Sequence, residues 1–194
     1  MRHTALLAAI VLAGSASASF AAQTVLDPLT GRVIDATPSN ASGRAAATPI
    51  PRETVNYIGP HRPGTIVVNA KERRLYLVMD GGKALKYGVG VGRPGFEWGG
   101  TKTVTRKQEW PSWTPPAQMI KRRPDLPRFM PGGPENPMGA RAMYLGSSLY
   151  RIHGSNEPET IGQAVSSGCI RMLNDDVIDL YTRVRVGAQV VVVR

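Results

Sequence analysis

The residues of this sequence with the clearest chemical potential are its single cysteine, Cys169, and a histidine sixteen positions earlier, His153. Gly168 precedes the cysteine and permits a tight turn, which would expose the thiol and leave backbone N–H groups close to it. A thiol with a pKa of about 8.5 is mostly protonated at neutral pH, and a neighbouring imidazole can accept its proton. The pair therefore predicts nucleophilic attack on a carbonyl carbon. Spacing alone leaves open a small buried cysteine and an unrelated core histidine.

Strands and turns dominate the elements that would position this pair. Residues 65–69 and 75–79 are rich in β-branched and aromatic side chains, and residues 85–91 alternate apolar with polar or small ones. A glycine-containing turn at 80–83 joins the second run to the third, so we expect an antiparallel hairpin with one buried face. Further strands are expected at the following positions: 141–145, 149–153 and 189–193.

The remaining segments predict little helix. Residues 111–137 carry eight prolines, which exclude a long helix but allow a short one near 117–121. A long irregular segment of this kind is often a lid or a substrate-binding loop. Asn174 is expected to cap a helix with apolar residues at helical spacing. The predicted fold class is mainly β, a sandwich or barrel-like arrangement of mixed sheets with one or two short helices.

The N-terminus predicts export. Arg2 and His3 precede an apolar run and a tract of small residues, which is typical of a secretory signal peptide over 1–21 with cleavage between Ala18 and Ala22. Residues 22–63 contain six prolines and no sustained apolar period, so we predict a proline-rich linker there and one domain over 64–194. The mature chain would be exported to the periplasm or associated with the cell wall.

Composition excludes several classes of function. The formal net charge of +10, or +9 without Arg2, is spread along the chain, and aromatic residues make up only 6%. Nucleic acid is therefore not the expected partner. An exported basic surface suits anionic wall polymers or lipid head groups, or serves only solubility. One cysteine rules out an internal disulfide, and three histidines add too few ligands for a zinc finger or an iron–sulfur site, so no metal is expected.

One motif points to a different chemistry. Residues 90–95 match G-x-G-x-x-G, a dinucleotide-binding fingerprint that requires a following helix to receive the pyrophosphate. Pro94 and the glycines at 99 and 100 do not support such a helix. The segment therefore predicts a turn that leaves a strand.

A longer motif surrounds the cysteine and the histidine. It reads His153-Gly154, a spacer, and then Ser-Ser-Gly-Cys-Ile-Arg-Met-Leu-Asn over 166–174. This pattern resembles the L,D-transpeptidase catalytic domain (the YkuD family) of bacterial cell-wall enzymes. The segments at 136–139 (Asn-Pro-Met-Gly) and 161–162 (Ile-Gly) are also similar to the family, and the likeness extends over 64–194. The commonest form of the motif has histidine where this chain has Ser167.

The resemblance implies cysteine acyl transfer on peptidoglycan stem peptides without a metal or organic cofactor. Cys169 would attack the carbonyl of the L-centre of the diamino acid at stem position three and expel the terminal D-residue. The thioester would pass to an amine of another stem, of an outer-membrane lipoprotein or of a free D-amino acid, or to water. His153 would be general base and then acid, oriented by the Gly154 carbonyl, while the amides of Gly168 and Cys169 would form an oxyanion hole. Carbapenems are expected to acylate Cys169.

Further residues are candidates for substrate binding: Arg171, Ser167, Ser155, Tyr144 and Trp113. Arg171 would bind a substrate carboxylate or pair with a local acid, and Ser167 would replace part of what the usual histidine supplies. Tyr144 and Trp113 would line the stem-peptide groove or pack in the core.

The alternatives to transfer are an L,D-carboxypeptidase on the same scaffold, which shares the acylation step, and a non-catalytic wall-binding module, which would leave the motif unexplained. A sortase-like enzyme would need a Thr-x-Thr-Cys strand that is absent here.

Overall fold

Strands make up most of the regular structure. The computed structural model describes residues 50–194 and the backbone of two earlier strands, β1 (Thr24–Leu26) and β2 (Val33–Asp35), which pair antiparallel. The predicted signal peptide lies outside the described residues. The other strands are β3 (Glu53–Asn56), β4 (Ile66–Asn69), β5 (Arg74–Met79), β6 (Lys83–Gly88), β7 (Val91–Gly92), β8 (Gly100–Glu109), β9 (Arg141–Leu145), β10 (Arg151–His153), β11 (Ala164–Ser166), β12 (Ile170–Arg171) and β13 (Gln189–Val193).

Nine of these strands form one mixed sheet in the order β12-β10-β9-β8-β13-β4-β5-β6-β3, and β7 pairs with β11 in a two-stranded sheet. The pairs β13–β4, β10–β12 and β7–β11 are parallel, and the other pairs are antiparallel. Two short helices, α1 (Ala117–Arg122) and α2 (Asn174–Arg183), accompany a 3-10 turn at Pro158–Thr160. The predicted class, mainly β with mixed sheets and short helices, is confirmed.

Glycine at two successive positions closes the β5–β6 hairpin. Gly81 and Gly82 have φ angles of 67° and 65°. Met79 pairs with Lys83, so residues 80–82 form the turn, and positive φ at two successive positions is a conformation that glycine adopts at little cost. The register then places Leu77 opposite Leu85, and both side chains are buried in the core. The predicted hairpin is therefore confirmed.

Helix α2 covers part of the core face of the sheet. Val177 and Leu180 are fully buried, and the helix packs on β9. Acidic residues occupy its first turn and Arg183 its last, which complements the helix dipole. Because successive side chains of a strand alternate between faces, burial of Met143 and Ile152 on this side directs their neighbours to the opposite face. That opposite face carries the candidate site.

Four features of the strands differ from the predictions. Strand β3 pairs with β6, so Glu53–Asn56 belongs to the large sheet although the sequence predicted a linker as far as residue 63. The pair β1–β2 also lies within that predicted linker. Strand β8 was not predicted, because Val104 is its only buried residue and its polar side chains hide the strand pattern. The run predicted over 85–91 is broken after Gly88, since Val91–Gly92 pairs with β11 instead.

Within the described residues, no helix is both long enough and apolar enough to cross a membrane.

Candidate active site

Two parallel strands place the cysteine and the histidine as diagonal neighbours on one face of the sheet. In the β10–β12 pair, Ile152 lies opposite Ile170 and His153 lies opposite Arg171. Cys169 directly precedes β12, so the register places it beside Arg151. Arg151 is two positions before His153, and the side chains of both therefore lie on the same face of the sheet as that of Cys169. Diagonal neighbours of this kind have Cα atoms about 7–8 Å apart, a separation that side chains can bridge. Pairing of two strands, and not closeness in sequence, therefore creates the site.

The ring of His153 is buried and held from one side. Its Nδ1 lies 2.6 Å from the carbonyl oxygen of Gly154. A carbonyl oxygen can only accept, so Nδ1 must carry the proton and Nε2 is the nitrogen that can act as a base. Gly154 has no room for a side chain, because a Cβ there would collide with the Asn174 side chain. The hydrogen bond between His153 Nδ1 and the Gly154 carbonyl is the contact that the family resemblance implied.

Burial keeps both reacting groups neutral. Desolvation, followed by the positive charge of Arg171, lowers the pKa of His153 to about 3, although the backbones of Gly154 and Met138 act the other way. Burial also raises the pKa of Cys169, against the opposing charge of Arg151. At neutral pH the resting pair is thus a thiol and an imidazole.

The loop that carries the nucleophile is tied to itself by one hydroxyl. The Oγ of Ser166 accepts a hydrogen bond from the Gly168 N–H at 3.0 Å and donates one to the Cys169 carbonyl at 2.6 Å. The Gly168 amide was predicted to bind an oxyanion; in this structure its N–H is bonded to Ser166 Oγ, and the oxyanion role stays a prediction that requires this bond to open. The Cys169 amide stays a predicted oxyanion donor.

Two aromatic residues brace the same loop. Trp98 Nε1 donates a 2.7 Å hydrogen bond to the Gly168 carbonyl, and its ring stacks on Tyr150 with centroids 4.7 Å apart and planes within 6°. Sequence reasoning missed both residues. Trp98 is 70 positions from Gly168, and no motif or period links the two. Only the tertiary fold reveals this support.

Substitution of Gly168 by alanine should damage both stability and activity. Its φ is +103°, and a Cβ would lie 2.5 Å from the Tyr150 ring and 3.2 Å from the Phe96 carbonyl oxygen. Gly64→Ala is a matched control, because its φ is +85° and nothing lies within 4 Å of the new Cβ. We expect the control to lose about 1–2 kcal/mol of unfolding free energy and Gly168→Ala to lose about 1–3 kcal/mol more.

Denaturant unfolding and the rate of Cys169 acylation measure the two effects of that substitution. Equal stability losses in the two variants would show that the backbone conformation alone, and not the packing against Tyr150, requires glycine at position 168.

Arg171 pairs with a local acid. Its Nη1 lies 2.7 Å from Glu157 Oε2, and it also approaches the Thr160 hydroxyl at 3.4 Å. Of the two roles that the sequence left open, the structure shows the ion pair. The hydroxyl of Ser155, which is buried, accepts a hydrogen bond from the Glu157 N–H at 3.0 Å. Ser155 and Arg171 therefore both fix the turn that follows His153.

Asn174 joins two loops behind the histidine. Its Oδ1 accepts a hydrogen bond from the Ala140 N–H at 2.9 Å, and its Nδ2 donates to the Ser155 carbonyl at 3.2 Å. The predicted helix cap is wrong, because α2 begins at Asn174 itself and Leu173 occupies the cap position without a side-chain cap bond. The amide of Asn174 is engaged between the loops and is not available to cap the helix.

The other predicted residues lie around this centre. Ser167 accepts a hydrogen bond from Arg93 at 3.2 Å. Tyr144, on β9, is half-buried and its hydroxyl contacts Gln108. Trp113 lies in the proline-rich segment, where its backbone exchanges two 2.8 Å hydrogen bonds with Met130. The short helix predicted in that segment is confirmed as α1.

A cysteine next to β12 and a neutral histidine on the adjacent strand β10 form a site suited to acyl transfer through a thioester. The family model for the L,D-transpeptidase catalytic domain, YkuD, matches residues 63–192. The chain belongs to this family.

Relatives and solved structures agree with that assignment. The chain is 44% identical over 137 residues to the probable L,D-transpeptidase ErfK/SrfK of Escherichia coli strain K12, an alignment that covers 66% of this chain but only 43% of the relative. The chain thus spans less than half the length of this curated relative. The fold matches an L,D-transpeptidase from Mycobacterium smegmatis with a TM-score of 0.55 and 21% identity over 67% of this chain and 58% of that one.

One similar structure has a name from another class. A Brucella melitensis protein described as a probable carnitine operon oxidoreductase is 45% identical, with a TM-score of 0.50, and the match covers 74% of this chain and 94% of that one. In the present chain the G-x-G-x-x-G segment does not open a helix. It contains β7 and a turn closed by a hydrogen bond from the Phe96 N–H to the Arg93 carbonyl, and strand β8 follows. The predicted turn is confirmed.

Proposed function

We propose that the protein is an exported L,D-transpeptidase that acts on peptidoglycan stem peptides. One observation carries the proposal. The family's histidine ends β10, its cysteine directly precedes the paired strand β12, and the Gly154 carbonyl oxygen lies 2.6 Å from His153 Nδ1. This arrangement supports the proposal that His153 Nε2 transfers the proton and that the sulfur of Cys169 is the nucleophile.

The reaction would proceed in two balanced halves. Cys169 Sγ attacks the carbonyl carbon of the L-centre of the third stem residue while His153 Nε2 takes the thiol proton. His153 then gives that proton to the amine of the departing D-residue, and the C–N bond breaks to leave a thioester. In the second half an acceptor amine attacks the thioester, His153 takes its proton, and the proton returns to the departing sulfur.

The acceptor is proposed to be an amine of a second stem peptide, with an outer-membrane lipoprotein or a D-amino acid as alternatives. Tyr144 and Trp113 are proposed to line the groove for the stem. Ser167 is proposed to contact substrate in place of the family's usual histidine. The motif at the N-terminus supports export to the periplasm or cell wall.

Carbapenem-type inhibitors are proposed to acylate Cys169. Two Mycobacterium tuberculosis L,D-transpeptidases with the same fold carry imipenem in one structure and a faropenem-derived adduct in another. A β-lactam carbonyl presents the sulfur with the same kind of electrophile as an amide of the stem. Acylation by these compounds therefore reports on the first half of the proposed reaction.

Product analysis tests the proposal. Purified tetrapeptide muropeptides are incubated with the protein and with Cys169→Ala, and the products are separated by chromatography and weighed. We expect cross-linked dimers with the native protein and none with the variant. Tripeptides without dimers would identify an L,D-carboxypeptidase. Retention on wall material by both proteins without any new product would identify a wall-binding module.

A further inference from the structure

Four side chains form a row across the sheet face that carries the nucleophile. Arg106 on β8 lies opposite Tyr144 on β9, and Tyr144 lies opposite Arg151 on β10. The β10–β12 register then places Cys169 beside Arg151. Ring contacts agree with this order, because the guanidinium carbons of Arg106 and Arg151 lie 3.7 Å and 5.2 Å from the centroid of the Tyr144 ring.

The Leu149 carbonyl links the nucleophile to the nearer arginine. Cys169 Sγ lies 3.6 Å from this oxygen, and Arg151 Nη1 donates a 3.3 Å hydrogen bond to it. The guanidinium therefore lies close to the sulfur. It also interacts with the sulfur itself, and a guanidinium has five N–H donors, so donors remain for a ligand.

No carboxylate within residues 50–194 forms an ion pair with Arg151 or Arg106. Among the other arginines near the site, Arg171 pairs with Glu157 and Arg141 pairs with Glu109. Arg93 has no carboxylate partner in this range either, but its guanidinium is engaged by the Ser166 carbonyl and the Ser167 hydroxyl. The strong charge beside Cys169 that lacks an internal partner is thus that of Arg151. Guanidinium geometry favours carboxylates, which accept two parallel N–H bonds.

Chain geometry says which carboxylate would reach Arg151. This step rests on the proposed function, in which the sulfur attacks the amide that joins stem residues three and four. The carboxylate of a terminal fourth residue lies one residue beyond the scissile carbonyl, or about 3.3–3.6 Å of extended chain. Adjacent strands are about 4.8 Å apart, so the side chain of Arg151 spans that gap, whereas Arg106 stands two strands further away.

We propose that Arg151 binds the free terminal carboxylate of the donor peptide and so selects donors that end at the residue being expelled. A donor that is one residue longer would place its carboxylate beyond this contact. A donor with a terminal amide would leave the guanidinium without its charged partner. Arg151 is thus assigned as a specificity-determining residue of the donor site.

The test compares two tetrapeptide muropeptide donors, one with the free terminal carboxylate and one with a terminal carboxamide. We expect the native protein to use the acid with a kcat/KM about ten- to a hundredfold higher, the range for hydrogen bonds to a charged group. In Arg151→Gln the acid should fall to the level of the amide, and the amide should change little. Arg151→Lys should restore part of the preference, because lysine keeps the positive charge but cannot donate two parallel N–H bonds to one carboxylate.

Arg106→Gln is the matched control, since it removes the same type of charge from the same row and should preserve the ratio of acid to amide. Equal use of both donors by the native protein would overturn the proposal. An equal loss for both donors in Arg151→Gln would also overturn it, because Arg151 would then act through the thiol.

Calorimetric binding of the two donors to Cys169→Ala separates this inference from the proposed function. Tighter binding of the acid than of the amide, lost when Arg151→Gln is added, supports the carboxylate site even if turnover is absent. Equal binding of the two donors by a protein that still forms cross-links would reject the carboxylate site and leave the proposed function intact.

Discussion

Replacing Cys169 with alanine should abolish thioester formation and lower the rate of acyl transfer by a factor of about 10⁴–10⁶, the range for loss of a nucleophile. The reason is chemical, because the alanine side chain has no atom that can bond to the carbonyl carbon. Fold and substrate contacts should persist, since Cys169 is only half-buried and its loop is held by Ser166 and Trp98.

Mass spectrometry after incubation with a carbapenem measures this outcome directly. The native protein should gain the mass of one inhibitor, and Cys169→Ala should gain none. The chain has a single cysteine, so alkylation with iodoacetamide provides a chemical control at the same atom. Pre-alkylated native protein should also fail to form the adduct. An adduct that survives either treatment would place the nucleophile elsewhere.

Local signals predicted the parts of the fold that depend on neighbouring residues. The glycine-containing turn at 80–83 and the alternation in the run that follows it predicted an antiparallel hairpin with one buried face, and the structure contains that hairpin. Strand β8 was missed because most of its residues are polar and exposed. Strand β3 was missed because an edge strand with little burial reads as linker. Secondary structure that relies on sheet pairing for its stability leaves a weak trace in the sequence.

In the candidate site, too, the sequence predicted the residue types, whereas their contacts depend on residues far away in the chain. Residue types and the family motif selected Cys169 and His153, but only the parallel pairing of β10 with β12 shows that they are diagonal neighbours on one sheet face. The sequence left two roles open for Arg171, and Glu157, fourteen positions away, decides between them. Asn174 was predicted to cap its own helix, whereas its partners are Ala140 and the Ser155 carbonyl. Long-range hydrogen bonds cannot be inferred from one segment at a time.

Replacing His153 with asparagine should slow acylation of Cys169 about 10²–10⁴-fold, the usual contribution of a general base. Asparagine removes the basic Nε2 but supplies an N–H donor that can keep the hydrogen bond to the Gly154 carbonyl. The variant therefore separates the loss of the base from the loss of the contact that holds it. The appropriate measurement is the rate of carbapenem acylation, monitored by mass spectrometry. This reaction involves no acceptor amine whose own protonation would complicate the result.

The same histidine should shape the pH dependence of acylation. Because burial lowers the pKa of His153 to about 3, the imidazole is already neutral at pH 5, and acylation should show no inflection near 6.5. Because burial also raises the pKa of Cys169, the rate of iodoacetamide alkylation should keep rising above pH 9. An acylation rate that falls by half near pH 6.5 in native protein would contradict the neutral buried ring.

The unfolding free energy should depend on pH through His153, although the rate of acylation should show no inflection near the usual pKa of histidine. In the unfolded chain the imidazole takes a proton near pH 6.5, whereas in the folded protein it resists protonation down to about pH 3. The unfolded state therefore binds more protons between these values, and the unfolding free energy should fall as pH drops from about 6.5 towards 3. Urea unfolding of native protein and of His153→Asn at pH 7 and pH 4.5 isolates this contribution, because only the native protein carries the group. The native protein should lose more stability on acidification than the variant, and equal losses would show that the ring is as easily protonated in the folded state as in the unfolded chain.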